Sequence, residues 1–128
     1  MQIHQSAEDY LETILMLTQR MGKVRSIDVV NELGFTKASV SIAMKKLREN
    51  GYIAVDGEGN LTLLEPGREI AERIYSRHRL LTHFFVQLGV DEEVAAEDAC
   101  KAEHILSEQT LEKIREYALL HDAQDSVK

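Results

Sequence analysis

The sequence predicts a mainly α-helical protein, in which an N-terminal winged helix-turn-helix is followed by an all-α C-terminal half. Three amphipathic segments, each bounded by a hydroxyl residue and a glycine, precede two apolar segments that flank a glycine-rich turn. The rest of the chain keeps apolar residues at helical spacing and contains one proline. We therefore predict two domains, residues 1–64 and residues 65–128.

The first three helices have predicted boundaries at both ends. A Ser or Thr at the N-cap can accept a backbone N–H, and a glycine after the last turn can adopt left-handed backbone. The three predicted helices run from Ser6 to Gly22, from Ser26 to Gly34 and from Thr36 to Gly51. A short helix, a tight turn and a longer helix form the helix-turn-helix outline.

The wing and the last three helices follow in order. YIAV and LTLL surround the turn sequence DGEGN and predict a two-stranded hairpin. Pro66 fits the first turn of a fourth helix that ends at Gly89. Asp91 can cap a fifth helix, EEVAAEDACKAEHIL, and Ser107 can start a sixth, EQTLEKIREYALLH, with a frayed tail behind it.

Composition and charge restrict the class of protein. No apolar stretch is long enough for a membrane span and no signal peptide pattern opens the chain, so we expect a cytoplasmic protein with no membrane partner. A single cysteine excludes an internal disulfide and leaves its thiol available. The net charge is −7, but residues 20–55 carry seven Lys/Arg against three Asp/Glu, whereas residues 89–125 carry three against eleven. The first half can therefore face nucleic acid, and the second attracts cations.

The third predicted helix is the candidate DNA-reading element. Its first turns, which in a recognition helix meet base edges, carry Thr36, Lys37, Ser39, Val40 and Ser41. Further along the helix, Lys45 and Lys46 can reach phosphates. The alternative is an ordinary amphipathic helix that places Val40 in a core and leaves the lysines merely solvated.

The fifth predicted helix carries a candidate metal-binding group. Cys100, Glu103 and His104 stand at i, i+3 and i+4, so in a helix their thiol, carboxylate and imidazole share one face. Such a set either holds a divalent metal or forms a poorly solvated helix face. Cys100 can equally be a small hydrophobe in a seam between helices.

Further donors lie elsewhere in the chain. Asp9 and Glu12 stand at i, i+3 on the first helix, and His78 lies on the fourth. The two acids can also be explained as first-turn residues that favour the helix dipole, and His78 as a satisfied core histidine. Packed together with a thiolate, these carboxylates would repel one another, and divalent cations or retained protons would relieve the repulsion.

Nearly the whole chain resembles one family. AEDYLETI, the helix-turn-helix with its wing, YSRHRLL, LGVDEE and ACKAEHILS are similar, in order and spacing, to the metal-dependent repressors typified by the diphtheria toxin repressor and the manganese transport regulator. The resemblance implies that residues 1–64 bind DNA and that residues 65–128 bind metal and dimerise. It also implies the following metal ligands: Asp9, Glu12, His78, Cys100, Glu103 and His104.

The match mixes two branches of that family. Asp9 resembles the manganese-responsive members, where the iron-responsive type has methionine, whereas Cys100 resembles the iron-responsive type, where the manganese type has glutamate. Thr82 and Ala96 replace a carboxylate and a histidine of the ancillary site of the iron-responsive type, so that site is not expected intact. We expect the short, two-domain form of the family, without the third domain of larger members, which fits the manganese type.

The resulting prediction is a metal-dependent repressor, not an enzyme. It would bind double-stranded operator DNA as a homodimer formed through the C-terminal helical domain and repress genes for metal uptake. The expected cofactor is Mn²⁺ or Fe²⁺, with one or two ions per protomer, and Co²⁺, Ni²⁺, Zn²⁺ or Cd²⁺ able to substitute in vitro. One alternative is a winged-helix regulator that responds to a non-metal signal. The other, a carboxylate metalloenzyme, is disfavoured because six ligands leave little open coordination.

Overall fold

The computed structural model describes residues 5–127 and the side chains of residues 5–123. The described elements occur in this order: α1 (Gln5–Met21), α2 (Ser26–Leu33), α3 (Lys37–Glu49), β1 (Ile53–Val55), β2 (Leu61–Leu63), α4 (Glu65–Gln87), α5 (Glu92–Ala102) and α6 (Glu108–Val127). The predicted fold class, a winged helix-turn-helix followed by an all-α half, is confirmed.

Residue contacts divide the chain into two compact units, Met1–Arg73 and Ile74–Lys128, so the division falls inside α4. The boundary that the sequence predicts, between residues 64 and 65, coincides with the end of the wing and stays a prediction.

The helix-turn-helix begins and ends largely where the sequence predicts. The Thr36 side chain accepts the Ser39 backbone N–H at 3.1 Å and caps α3. Gly34 ends α2 with φ 71°, and its N–H donates to the Val30 carbonyl. The N-cap of α2 is Arg25 and not the predicted Ser26, because the Asp28 carboxylate accepts the Arg25 N–H at 2.9 Å.

The start of α1 also differs from the prediction. The helix already includes Gln5, so Ser6 lies inside its first turn and is not the N-cap. Residues 1–4 lie outside the described part of the chain.

Buried apolar side chains from several elements hold the first unit together. Each helix buries one stripe, and α3 contributes Val40, Met44 and Leu47 to the core. Further fully buried side chains come from α1, the segment between α1 and α2, α2 and the wing: Leu11, Ile14, Leu17, Val24, Val29 and Ile53. Burial of a large apolar side chain stabilises the folded state by about 1.5–3 kcal/mol, and this stabilisation fixes α3 against the other elements.

The wing is a short antiparallel hairpin with a hydrogen-bonded turn. Ile53 pairs with Leu63, and the opposite end of the hairpin is closed by Asp56. The Asp56 carboxylate accepts the backbone N–H groups of Glu58 and Asn60, each at 2.9 Å. These bonds, with that from Asn60 the strongest, hold the pKa of Asp56 below its ordinary value.

The start of α4 packs closely against the wing. A Cβ placed on Gly67 would lie 2.2 Å from the backbone oxygen of Tyr52, which is far inside van der Waals contact. The same Tyr52 oxygen accepts the Leu64 N–H at 3.0 Å, so the carbonyl is held in place. Glycine is therefore required at this position by the close approach of two backbone segments.

Gly67→Ala should lower the free energy of unfolding by about 1–3 kcal/mol, because the added methyl must displace the wing backbone. The matched control is Gly57→Ala, which meets nothing within 4 Å and lies outside the left-handed region. The control should stay within about 0.5 kcal/mol of the parent protein. Urea denaturation of the three proteins measures both effects, and equal stabilities would contradict the assignment of Gly67 to a close contact.

The second unit is helical throughout its described residues. Leu81 of α4, Ala99 of α5 and Leu111 of α6 form its buried core, with Phe85 and Ile114 among the apolar side chains packed around it. None of the helices in the described residues is long and apolar enough to span a membrane.

Two predicted helix ends in this unit are wrong. The fifth helix, predicted to continue through Leu106, stops at Ala102, and residues 103–105 form a turn. The sixth helix does start after Ser107, whose hydroxyl accepts the Thr110 N–H at 3.2 Å. It then continues to Val127, through the segment predicted as a frayed tail.

Candidate metal centre and DNA-binding surface

Three potential metal donors lie together in the second unit. One ligand atom each from His78, Cys100 and Glu103 lies within 4.8 Å of the other two. His78 comes from the middle of α4, whereas Cys100 and Glu103 come from the end of α5. Imidazole nitrogen, thiolate sulfur and carboxylate oxygen are all ligands of first-row transition metals.

Glu103 is the centre of this group. Its side chain is 0% exposed, and its Oε2 lies 3.0 Å from His78 Nδ1. The other oxygen, Oε1, accepts no hydrogen bond from the described residues, although His104 Nε2 lies 3.4 Å away. Burying a carboxylate with an unsatisfied oxygen is costly unless a proton or a cation compensates it. This buried oxygen and the donors around it therefore fit a divalent cation.

The end of α5 explains how the donors come to one side. Glu103 is the C-cap, yet it keeps helical backbone angles of −59° and −22° and donates its N–H to Ala99. Cys100 and Glu103 thus retain the i, i+3 relation of a helix. His104 lies beyond the helix, in the turn, with a side chain that is only 2% exposed. The three donors predicted on one helix face therefore lie on α5 (Cys100), at its C-cap (Glu103) and in the following turn (His104).

Arg77 holds the same turn from α4. Its Nη1 donates to the backbone oxygen of Glu103 at 3.2 Å, and its Nη2 pairs with the Glu108 carboxylate. The Arg77 side chain is largely buried, whereas Glu108 is exposed. Sequence reasoning missed this contact, because nothing in the pattern distinguishes Arg77 from Arg79 on the other side of His78.

The two acids of the first unit lie on α1. Asp9 is half-buried and Glu12 is buried, which is rare for a carboxylate. The acidic residue of the first turn is Glu8, so the interpretation of Asp9 and Glu12 as first-turn acids is wrong. Burial and then the charge of Asp9 raise the pKa of the neighbouring Tyr10 phenol. The role of Asp9 and Glu12 as ligands remains a prediction.

The structure also bears on the interpretations of Cys100 and His78 as packing residues. Cys100 is exposed in this chain, so it is not a hydrophobe buried in a seam between helices. His78 has one ring nitrogen on the Glu103 carboxylate and a side chain that is 20% exposed, so it is not simply an apolar core residue.

The exposed surface of α3 carries most of the predicted DNA contacts. Seven were predicted, and six of them are exposed: Thr36, Lys37, Ser39, Ser41, Lys45 and Lys46. Val40 is the exception, because it is 0% exposed and packs in the core of the first unit. A side chain without accessible surface cannot contact a base, so the prediction for Val40 is wrong and the amphipathic alternative is correct for that residue.

The sequence reasoning also missed Ile42. This residue is 58% exposed on α3, next to the predicted contacts. The signal was present in the helical period, since Ile42 is out of phase with the apolar stripe formed by Val40, Met44 and Leu47.

A winged helix-turn-helix with an exposed, basic third helix, together with a unit that gathers imidazole, thiol and carboxylate, defines a metal-responsive DNA-binding regulator. Comparison with known proteins identifies the family. Residues 2–61 match the iron dependent repressor N-terminal DNA binding domain, and residues 64–120 match the iron dependent repressor metal binding and dimerisation domain. The chain belongs to this family of metal-dependent transcriptional repressors, which includes the diphtheria toxin repressor and the manganese transport regulators.

Relatives of known sequence span most of the chain. An uncharacterised HTH-type transcriptional regulator of Methanocaldococcus jannaschii is 36% identical over 87% of this chain and 90% of its own length. The HTH-type transcriptional regulator MntR of Bacillus subtilis is 32% identical over 96% of this chain and 87% of its own. These relatives are named as transcriptional regulators and not as enzymes.

Solved structures agree with the fold. A manganese-dependent transcriptional repressor in complex with manganese superposes with a TM-score of 0.80 at 29% identity, covering 88% of this chain and 52% of that one. The manganese regulator SloR superposes with a TM-score of 0.76 at 25% identity, covering 91% of this chain and 54% of that one. The chain thus spans about half the length of these structures.

Proposed function

We propose that this protein represses genes for metal uptake by binding their operators when Mn²⁺ or Fe²⁺ is bound. The observation that carries the proposal is the His78, Cys100 and Glu103 cluster with its buried, unsatisfied carboxylate oxygen. A cation at this cluster would supply the positive charge that the Glu103 carboxylate lacks. A family of metal-dependent repressors makes operator DNA the expected partner.

The full ligand set of the proposal is larger than the cluster. His104 is the neighbour of Glu103, and its Nε2 approaches the unsatisfied oxygen. Asp9 and Glu12 are assigned as further ligands from the sequence resemblance. If metal tightens operator binding, the coupling is reciprocal, so operator DNA would tighten metal binding by the same factor. Six donors are enough for one ion or for two.

The donor types bear on which metal is bound. Carboxylates favour Mn²⁺ and Fe²⁺, whereas the Cys100 thiolate favours Fe²⁺, Co²⁺ or Zn²⁺. Two of the similar solved structures are named for manganese and the family domains for iron, which supports both ions as cofactors. Because intrinsic affinities for divalent metals follow a fixed order, availability in the cell would contribute to the selection.

The exposed apolar side chains of the second unit support a homodimer. They are large and at least 46% exposed: Leu88, Val94, Ile105, Tyr117, Leu119 and Leu120. The matched family domain is described as one of dimerisation, so a second copy of the chain is the proposed partner that covers exposed apolar side chains of this unit. Such a dimer would present two α3 helices to two half-sites of an operator.

Titration of DNA binding against metal tests the proposal directly. A duplex selected from a random library by the Mn²⁺-loaded protein serves as the operator, under anaerobic conditions. Mn²⁺ or Fe²⁺ should raise affinity for this duplex and not for a scrambled one, while EDTA should reverse the effect. A protein that retains no stoichiometric metal after dialysis would instead be a winged-helix regulator of a different signal.

We expect Ser39 of α3 to contact bases and Lys45 to contact phosphates. Ser39→Ala should change the preference between operator variants, with a cost of about 1 kcal/mol. Lys45→Ala should weaken all duplexes alike and reduce the salt dependence of binding, because it removes one phosphate contact. Affinities for a panel of duplexes at several salt concentrations separate the two. The division would be wrong if both variants changed specificity equally.

A further inference from the structure

The outward side of α3 has an isoleucine at its centre. Ile42 is 58% exposed, whereas Val40, Met44 and Leu47 face the core of the first unit. In a helix of 3.6 residues per turn, Ile42 stands nearly opposite that buried stripe. It therefore lies at the middle of the surface that the helix-turn-helix presents outward.

The neighbours of Ile42 on this face differ towards the two ends of the helix. Ala38 and Ser39, four and three residues earlier, are small and exposed. Lys45 and Lys46, three and four residues later, are also exposed. The N-terminal half of the face thus allows close approach, and the C-terminal half carries positive charge.

Neither folding nor helix propensity accounts for an isoleucine here. Its side chain gains little from burial in the unit, and β-branched residues are not favoured in helices. Single exposed apolar residues are common, so the exposure alone decides nothing. The position of Ile42 is what points to a function. It lies between small residues and two lysines, whose positive charge is complementary to the phosphates of a duplex.

An apolar side chain in that position has one apolar partner on the base edges of the major groove, the 5-methyl group of thymine. We propose that Ile42 is a specificity-determining residue that packs on a thymine methyl in each half-site. This inference deepens the proposed function and rests on α3 being the DNA-reading helix. Ile42 thus takes the place, among the predicted base contacts on α3, of Val40, which is buried.

Replacement of thymine by deoxyuridine tests the contact, because only the 5-methyl group is lost. In a duplex selected by the Mn²⁺-loaded wild-type protein, each thymine is replaced singly. At one position per half-site, wild-type affinity should fall about fourfold, the effect of losing one buried methyl group. Ile42→Ala should bind the parent duplex more weakly and should show no penalty for deoxyuridine at that position.

Ile27→Ala is the matched control, since Ile27 is also exposed but lies on α2. It should keep the fourfold penalty. Circular dichroism of Ile42→Ala should match the wild type, because the side chain is exposed. Wild-type binding that is indifferent to every deoxyuridine, or an Ile42→Ala variant that keeps the penalty, would overturn the inference. A wild type that selects no duplex in metal would overturn the proposed function itself.

Discussion

Glu103→Gln should abolish the stabilisation of this protein by metal while leaving the metal-free protein folded. The Glu103 side chain is 0% exposed, and its Oε1 accepts no hydrogen bond from the described residues. Glutamine keeps the shape but removes the negative charge that attracts the cation. Ligand at one hundred times its Kd adds about 2.7 kcal/mol to the free energy of unfolding, and the variant should lose this increment.

The metal-free variant should be as stable as the wild type or slightly more stable. A buried carboxylate that lacks a full set of partners is a cost to folding, and the neutral amide avoids part of it. Glu103→Gln should therefore remove the stabilisation by metal without lowering the stability of the metal-free protein. Urea denaturation with EDTA and then with Mn²⁺ measures both quantities on the same proteins.

Glu108→Gln is the matched control for that experiment. Glu108 is a glutamate that pairs with Arg77, as the Glu103 backbone oxygen does, but its side chain is 79% exposed. An exposed ion pair contributes little, so the control should keep the full increment from metal. If Glu103→Gln kept that increment as well, the cluster would not be the metal centre.

Local chemistry explains why much of the first unit was predictable. The hydroxyl of Thr36 and the left-handed backbone of Gly34 act within a few residues of themselves, so the sequence alone places the ends of α2 and α3. The burial of Val40 and the exposure of Ile42 were harder to predict. Both residues are β-branched and stand two residues apart on α3, and only the phase of the buried stripe distinguishes core from surface. That phase depends on which side of the helix meets the other elements.

The candidate site shows the same limit. Cys100 and Glu103 are three residues apart, so helical spacing was enough to predict their proximity. The end of α5 at Ala102 was not predicted, because the following residues have no glycine or proline to stop a helix. Arg77, far away in sequence, supplies a hydrogen bond to the turn, and such tertiary contacts leave no local pattern.

The Cys100 thiol should set the metal preference of the site. Among the donors gathered with it, His78 supplies nitrogen and Glu103 oxygen, so the sulfur is the softest ligand. Cys100→Glu should strengthen binding of Mn²⁺ relative to Co²⁺ by about tenfold, which corresponds to ~1.4 kcal/mol. Asp9→Met, which removes a hard oxygen donor from the proposed set, should shift the preference in the opposite direction. Competition titrations of the two metals measure both shifts.

Cobalt also reports on the sulfur directly. A thiolate bound to Co²⁺ gives an intense charge-transfer absorption in the near ultraviolet, which oxygen and nitrogen ligands do not give. The wild-type protein should show this band at saturation and Cys100→Ser should lose it. Because Cys100 is exposed, serine should not disturb the fold, so loss of the band reports on ligation. A cobalt-saturated wild type without the band would show that the metal is held by nitrogen and oxygen alone. The Cys100 thiol would then have no bearing on which metal the protein senses.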